Sequence, residues 1–290
     1  MKLSFIIISF KSYHLLDKLL SKIPKHHEII IVENSLEMET KFKIEKKYKN
    51  SKVIIPKENL GYSTAFNRAL KISKNNFLIT ISPDIKIEKI LFKKIEKLLL
   101  KFKNFSLLAP EYRNKKIHQN FAPISNTKII SKVKNHKIIQ VKEIDWCFCI
   151  LNKSKFKDKK ILDENFFLYF ETTDLCRKLF INKKKMYVVK NFKFDHLGTS
   201  SSNKKFDYEI KENRNWHFSW SKFYFYKKNY SYLFALKKIL PNVYQSLVGV
   251  IWCILVFEFK DIKLHIASLK GLLSSIFFIN SYFRPNLDKY

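Results

Sequence analysis

The sequence predicts an α/β protein: a mostly parallel central sheet with helices on both faces, followed by a helical C-terminal region. Three observations carry this. Short, unbroken apolar runs such as LSFIIIS, EIIIV and FLITI are the mark of strands covered on both faces. Segments with apolar residues at helical spacing separate those runs. After residue 203 the composition changes to interleaved aromatics and lysines and then to two apolar stretches. With 290 residues, 46% of them hydrophobic, the chain buries a substantial core, and global disorder is excluded.

The first strand is expected over residues 3–9, and Leu15, Leu16, Leu19 and Leu20 then recur at helical spacing. A second strand is expected at 28–32, a helix at 37–48 and a third strand at 53–55. A helix over 63–73, with Ser63 as N-cap, leads to a fourth strand at 77–81. Ile87, Ile90, Leu91, Ile95, Leu98 and Leu99 mark one face of the next helix. This βαβαβαβ rhythm points to a parallel sheet. Beyond it the pattern is mixed, with short strands expected at 106–109, 148–151 and 186–189. A helix is expected over 173–182, with Thr172 or Thr173 as its N-cap. The expected domains are 1–205 for the α/β part and 206–290 for an aromatic, basic, membrane-associating part.

The formal charge is +31, from 56 Lys and Arg against 25 Asp and Glu. Such a field attracts anions. Only Arg68, Arg113, Arg177, Arg214 and Arg284 are arginines, whereas nucleic-acid readers favour arginine for its bidentate contacts. Nucleic acid is therefore not expected as a partner. Genome composition accounts for part of the lysine excess, and an anionic membrane surface fits the rest. Cys147, Cys149, Cys176 and Cys253 make no metal-ligand pattern. The apolar run at 3–10 is too short, and lacks the small-residue cleavage site, for a signal peptide. The expected setting is reduced and cytoplasmic.

In parallel sheets ligands bind beyond the carboxyl ends of the strands. Glu33, Asn34 and Ser35 follow the second strand, where a carboxylate either meets a nucleoside or is simply solvated. Asn59, Leu60, Gly61 and Tyr62, then Asn67, follow the third. The chain has only four glycines, so Gly61 signals a positive φ or a close backbone approach, at a helix start that would offer amides to a phosphate. Ser82, Pro83 and Asp84 end the fourth strand, and Asp84 there suits a divalent cation on a diphosphate. The stretch DENFFLYFETTDLCR, residues 163–177, brackets aromatics with acids just before a helix. Glu171 or Asp174 at that helix start suits a general base, or merely complements the helix dipole. His196, before Leu197 and Gly198, is a metal or phosphate ligand or a structural histidine.

Taken in order over residues 3–201, these stretches resemble the family 2 glycosyltransferases, in particular their rhamnosyltransferase-like branch. The family's D-N-x-S appears as Glu33, Asn34 and Ser35; its N-x-G-[FY] and following Asn as Asn59, Gly61, Tyr62 and Asn67; its N-P-D as Ser82, Pro83 and Asp84. Its D-E-x-F-F-x-Y-x-E-D-x-D-L-C-x-R appears at 163–177, and its terminal histidine as His196. The resemblance implies a GT-A (Rossmann-like) fold and an inverting transfer from a dTDP-, UDP- or GDP-sugar to a hydroxyl of a glycan or lipid-linked acceptor. It also implies a divalent metal, Mg2+ or Mn2+, and a place in surface-polysaccharide or envelope synthesis. By that resemblance Glu33 holds the nucleoside, Asn59, Gly61 and Asn67 shape the donor pocket, and Asp84 and His196 serve the metal. Asp145, Trp146, Asp163 and Glu164 line the sugar or acceptor pocket, and Glu171, then Asp174, is the base. The sequence departs from the family at Thr172 (an acid there), Glu33 (Asp), Ser82 (Asn), and Cys147 or Phe148 (Gly).

Residues 247–257 form an apolar run of about eleven, short of the roughly 20 that span a bilayer. Residues 264–283 are longer but carry His265 and Lys270. With Trp216, Trp220, Tyr224, Tyr226, Tyr230 and Tyr232 upstream, the region suits an interfacial layer, placing the protein peripherally on the inner face of the plasma membrane. Oligomer formation is left open. A non-catalytic basic membrane- or nucleic-acid-binding protein would explain the charge but not the ordered acids at strand ends. A nucleotidyltransferase would want glycine after the first strand, where Phe10, Lys11, Ser12 and Tyr13 stand.

Overall fold

In a computed structural model of the chain, residues 1–113, 119–124, 129–133, 136–196 and 206–284 are described. Two compact units divide them. One comprises Met1–Leu60, Thr64–Leu162 and the chain from Leu175 through the last strand; the other comprises Gly61–Ser63, Asp163–Asp174 and the C-terminal helices. The second unit thus draws two short segments from the first 175 residues, and the boundary foreseen at 205/206 falls where residues lie outside those described.

The first unit opens with alternating strands and helices: β1 Ser4–Ser9, α1 Tyr13–Leu20, β2 Glu28–Glu33, α2 Met38–Lys47, β3 Ser51–Ile54, α3 Gly61–Ile72 and β4 Phe77–Ile81. These four strands pair in parallel in the order β3-β2-β1-β4. Phe5 and Ile7 of β1, Ile29 and Ile31 of β2 and Ile79 and Ile81 of β4 join one core cluster with Leu16, Leu19 and Leu20 of α1 and Ile44 of α2. Their neighbours Ile6, Ile30 and Leu78 are equally buried but face the other way, as the two-residue period of a strand requires. Right-handed crossovers put α1 and α2 on one face and α3 on the other, because the strand order reverses between β1 and β4. That reversal is the switch point beside which doubly wound sheets bind ligands.

The second half of the sheet is mixed. After β5 Ile85–Lys86 and α4 Lys89–Lys101 come β6 Leu107–Tyr112, β7 Phe121–Pro123, β8 Ile129–Val133, β9 His136–Ile144 and β10 Phe148–Asn152. Following α5 Glu171–Ile181, β11 Met186–His196 closes the sheet. β10 inserts antiparallel between β4 and β6, and β11 runs parallel to β6. The sequence shows β5 and β7–β9 poorly: they are short or dense in lysine, and lack a clean alternation.

β11 extends seven residues past its expected end. A register shift between Val189 and Lys193 lets it follow β6 onward. There Lys190 and Lys193 both donate to Glu111, which is only 2% exposed. Burial pushes the Glu111 carboxyl up, and the two ammonium groups overcome that and hold it below the ordinary value. The extension carries His196 to Ile85 of β5, immediately after Asp84.

Two helix starts differ from expectation. α3 begins at Gly61, so Ser63 lies inside its first turn and is not the N-cap. α5 begins at Glu171, which puts Thr172 and Thr173 inside the helix as well. In both cases the start is set by backbone contacts of the preceding residues, which no side-chain pattern announces. The second unit's helices are α6 Asp207–Asn229, α7 Tyr232–Leu255 and α8 Phe259–Ile276.

At the amino end of β2, His27 is fully buried. Its Nδ1 accepts from the Leu3 amide at 3.2 Å, which leaves the proton on Nε2, 3.2 Å from Glu96 Oε1. With His26 these groups cluster tightly enough to suit a metal, but a metal on Nε2 would demand the proton on Nδ1, against the Leu3 amide. Burial, then the neighbouring His26, with Glu96 opposing, lowers the His27 pKa to about 4. A histidine so depressed leaves the fold fully stable above its unfolded pKa near 6.5 and penalises it as pH falls from there toward 4. Thermal melts should therefore show stability dropping by up to about 3 kcal/mol over that window. In His27→Asn, whose amide oxygen can replace Nδ1 as acceptor, the drop should be visibly shallower; an unchanged slope would place its origin elsewhere.

Candidate functional site

Within the first unit the acids foreseen at strand ends meet at the carboxyl edge of the sheet. β4 ends in a turn closed by the Ile85 amide on Ser82 O (3.2 Å) and tied to β10 by the Ser82 amide on Cys147 O (2.8 Å). That turn buries Asp84 to 3% exposure. Its Oδ2 meets His196 Nε2 at 3.1 Å, while its Oδ1 is buried with no hydrogen-bond partner among the described residues. An orphaned buried carboxylate oxygen is costly, on the order of 1–3 kcal/mol or more. A divalent cation would satisfy it, so the residues present fit such an ion.

Tyr112, which the sequence reading missed, connects the cluster. Its hydroxyl lies 2.8 Å from His196 Nδ1, 3.1 Å from Cys147 Sγ and 3.5 Å from Asp145 Oδ2. Burial raises the Tyr112 pKa, with Cys147 and Asp145 adding to it. Burial acts to lower the His196 pKa, but Asp84 and then Asp145 leave it raised. His196 was expected as a metal ligand. Its Nε2 faces Asp84 and its Nδ1 faces the Tyr112 hydroxyl.

The other expected residues of this unit divide. Glu33 is fully buried, not solvated: Ser9 Oγ donates to Oε2 at 2.5 Å, and the Ser35 amide and hydroxyl donate to Oε1. It fixes the loop leaving β2. Asn34 Oδ1 accepts from the Leu60 amide (3.4 Å), tying that loop to the segment holding Asn59. Asn67 is buried and devotes its amide to the backbone of 161–162: it donates to Leu162 O (2.8 Å) and accepts from the Ile161 and Leu162 amides. It acts by holding the strap before Asp163. Trp146, expected in a pocket, is 3% exposed and edge-on to Phe66 at 5.3 Å. A ring so packed is core, and Asp145, half-buried and capping the Cys147 amide (3.1 Å), is the polar group left at that position. Leu197 and Gly198 lie outside the described residues.

The second unit gathers the segment 163–174. Gly61 has φ +68, and a Cβ there would stand 2.3 Å from Phe167 O and 2.5 Å from its ring. Both reasons for glycine hold at once, and the Tyr62 amide donates to the same carbonyl at 2.7 Å. An α3 amide expected for phosphate is thus engaged by Phe167. The Phe167 ring stacks on His217 at 4.3 Å and carries the Arg284 guanidinium 3.7 Å above it. Burial lowers the His217 pKa to about 3, so the ring stays neutral and donates from Nε2 to Phe283 O (2.8 Å) without charge.

Tyr169 and Phe170 both have left-handed φ, 69 and 64, a strain of order 1 kcal/mol each. Ser221 Oγ on Leu168 O (2.8 Å) and the packing of Phe170 between Phe218 and Phe225 hold them there. The result aims Glu171, 7% exposed, at the first position of α5. The Lys228 ammonium bridges Asp163 Oδ2 (2.8 Å) and Asp174 Oδ2 (2.6 Å). Tyr224 OH donates to Asp163 (3.0 Å) and Asn229 Nδ2 to Asp174 Oδ1 (2.7 Å). Burial alone would raise the Asp163 pKa; Lys228 and the Asn165 amide bring it below normal. Burial lowers and the two carboxylates raise the Lys228 pKa, and the carboxylates prevail. Both oxygens of Asp174 are thus engaged, by Lys228 and Asn229. Glu164 is half-buried beside this network.

Residues 4–159, more than half of the chain, match the family described as Glycosyl transferase family 2. The low-salt glycan biosynthesis hexosyltransferase Agl10 of Haloferax volcanii is 24% identical over 187 residues, which cover 60% of each protein. The chain thus matches about three fifths of that relative's length. Among solved structures, the mannosyltransferase PcManGT of Pyrobaculum calidifontis, in complex with GDP-Man and Mn2+, superposes with a TM-score of 0.56 at 8% identity, over 95% of this chain and 87% of that one. S. aureus TarS 1–349 gives 0.53 at 17% identity, over 98% and 93%, and has also been solved with UDP-GlcNAc. A longer TarS chain is matched over 39% of its length. These structures share the GT-A fold.

The Lys228 bridge makes the ordering of 163–174 measurable. Lys228→Met should speed amide hydrogen exchange in that segment by about tenfold or more and lower global stability by roughly 1–2 kcal/mol, the discount reflecting its partial exposure. Exchange at β1, β2 and β4 should be unaffected; wild-type exchange in 163–174 would show that the bridge orders nothing.

Proposed function

Since the chain belongs to glycosyltransferase family 2, we propose that it moves a sugar from a nucleotide-diphosphate donor to an acceptor hydroxyl with inversion at the anomeric carbon. The observation that carries this is Asp84: a buried carboxylate at the switch-point edge of a parallel sheet, one oxygen fixed by His196 and the other orphaned. Donors of the same class occur in the fold neighbours, GDP-Man with Mn2+ in PcManGT and UDP-GlcNAc in TarS.

In this reading Asp84 would hold a divalent cation, Mg2+ or Mn2+, which when bound would supply positive charge to balance the diphosphate. His196 and Tyr112 fix the rotamer of the Asp84 carboxylate, so no reorganisation is needed when the donor arrives. Glu33, through Ser35, shapes the loop that receives the nucleoside, and Asn59, Gly61 and Asn67 act on the donor pocket by fixing backbone. Asp145 and Glu164 are the polar groups offered to sugar or acceptor. Glu171 is the general base: it takes the proton from the acceptor hydroxyl as that oxygen attacks the face opposite the leaving diphosphate. Asp174, the second candidate, gives way to Glu171 because Lys228 and Asn229 occupy both its oxygens. Thr172, where the family has an acid, takes no proton. The acceptor is a glycan or lipid-linked glycan of envelope synthesis, with the enzyme peripheral on the cytoplasmic side of the membrane; the hexosyltransferase relative supports the glycan part of this reading.

Titration calorimetry with UDP, dTDP and GDP, each with and without Mg2+ or Mn2+, tests the proposal. One nucleotide should bind at micromolar affinity only with metal, and Asp84→Ala should weaken that binding by about tenfold or more. Glu171→Gln should keep nucleotide affinity while turnover drops about 10²–10⁴-fold. Absence of nucleotide binding in the wild type would transfer the argument to a non-catalytic basic membrane-binding protein.

A further inference from the structure

α7 is an unusual helix for a folded unit. Only 17% of its most apolar stretch is buried, and its exposed side is not polar. Leu240, Tyr244, Leu247, Ile251 and Leu255 recur every three or four residues and are 50–70% exposed, with Trp252 beside them at 62%. They form one stripe along the helix. The turn into α8 continues it with Phe257 and Phe259, 77% and 58% exposed. Monomers rarely leave so long an apolar surface to water.

The helix is long and apolar enough to cross a bilayer, but its neighbour opposes a crossing. α8 returns alongside α7, and the two approach so closely that a Cβ on Gly249 would overlap the His265 ring. Leu272 of α8 joins Ala235 and Ile239 of α7 and Phe223 of α6 in one cluster, while Gly271 lies against Trp216 O. α8 also carries Asp261, Lys263, His265 and Lys270. A spanning α7 would drag those charges, and the helix locked to α6, into hydrocarbon. A helix lying in the plane of one leaflet keeps every one of these contacts.

Charge identifies the occupant of the stripe. Across residues 232–276 there are five lysines (Lys237, Lys238, Lys260, Lys263 and Lys270), all exposed, against Glu258 and Asp261. α7 itself has no acid. The lysines flank the stripe at both ends, where an anionic headgroup layer would meet them, each contributing electrostatic attraction. A second copy of the chain would instead bring two lysine rims together, within a molecule of formal charge +31, so like charges oppose self-association.

We propose that α7 and its turn into α8 are a monotopic membrane-docking surface that seats the apolar stripe in one leaflet of an anionic bilayer. This rests on the proposed function only for its purpose, bringing the transferase to a lipid-linked acceptor. Full-length protein should sediment with phosphatidylcholine vesicles containing about one-third phosphatidylglycerol, and far less with phosphatidylcholine alone. The double variant I251E/L255E, at positions exposed in the fold, should lose at least about tenfold in vesicle partitioning while keeping wild-type nucleotide affinity and melting behaviour. Alkaline carbonate should release the wild type from membranes of the expressing cells. Wild-type vesicle binding by the double variant would overturn the proposal, as would retention after carbonate, which means a span. A lipid-free dimer in ultracentrifugation that the variant dissolves would also overturn it, in favour of a second copy. Lost vesicle binding with intact nucleotide binding bears on docking alone; the converse bears on the transferase reading alone.

Discussion

The placement of Phe167 constrains everything around the segment 163–174. Its carbonyl takes the Tyr62 amide, its backbone and ring leave no room for a Cβ at Gly61, and its ring lies between His217 and the Arg284 guanidinium. Three stretches far apart in sequence, at 61–62, 217 and 284, are thereby referred to one residue. Position 61 must be glycine for two separate reasons, conformational and steric. His217 must stay neutral beside Arg284, which burial ensures. With Phe167 fixed, the next residues have little freedom, and the two left-handed residues at 169 and 170 become tolerable because neighbours over-determine them.

Strain held in this way has a use. Two consecutive left-handed residues reverse the chain sharply enough for a helix to begin at Glu171, so that this carboxylate occupies a first-turn position that the helix dipole favours for an anion. The same helix carries Asp174 one turn on, and α6 supplies the cation and amide that neutralise it. Of the acids in the segment, Asp163 and Asp174 share the Lys228 ammonium, while Glu171 stands at the first position of α5. The segment and the C-terminal helices form one contact unit, so α6 is part of the apparatus that presents the motif, whatever α7 and α8 do at a membrane.

The sequence made the parallel half of the sheet legible because buried parallel strands are written as continuous Ile, Leu and Phe runs, and β1, β2 and β4 fall within a residue of their expected bounds. It also made legible which strand ends carry acids. It did not show what those acids touch. Glu33, read as a nucleoside contact or a solvated acid, is sealed by Ser9 and Ser35; Trp146, expected to line the sugar or acceptor pocket, is 3% exposed; Asn67, expected to shape the donor pocket, pins a strap 94 residues away. Such pairings depend on long-range packing, on which local pattern is silent. Tyr112 escaped notice because a tyrosine at the end of a strand carries no signal until His196 is brought beside it, and that requires the bulge in β11 that Lys190, Lys193 and Glu111 stabilise. Gly61 was the exception: in a chain with four glycines, rarity itself was the signal.

The excess of lysine acquires a structural meaning from the way the acids are used. Glu111, Glu33, Asp84, Glu171 and Asp174 are all buried, consumed in fixing loops, strands and site. The other 20 of the 25 acids are outnumbered by 56 basic residues. Among the described residues, Lys190 and Lys193 pair with the buried Glu111 and Lys228 with the buried Asp174, while Lys153 donates to the Ser73 carbonyl. A molecule built so has a positive field with little local cancellation. Such a field attracts anions of any kind and acts at long range, whereas the Asp84 cluster acts only on contact. On the readings proposed above, selectivity between a diphosphate and a leaflet rests on short-range features, a cation held at the orphaned oxygen of Asp84 for one and the uncharged stripe of α7 for the other.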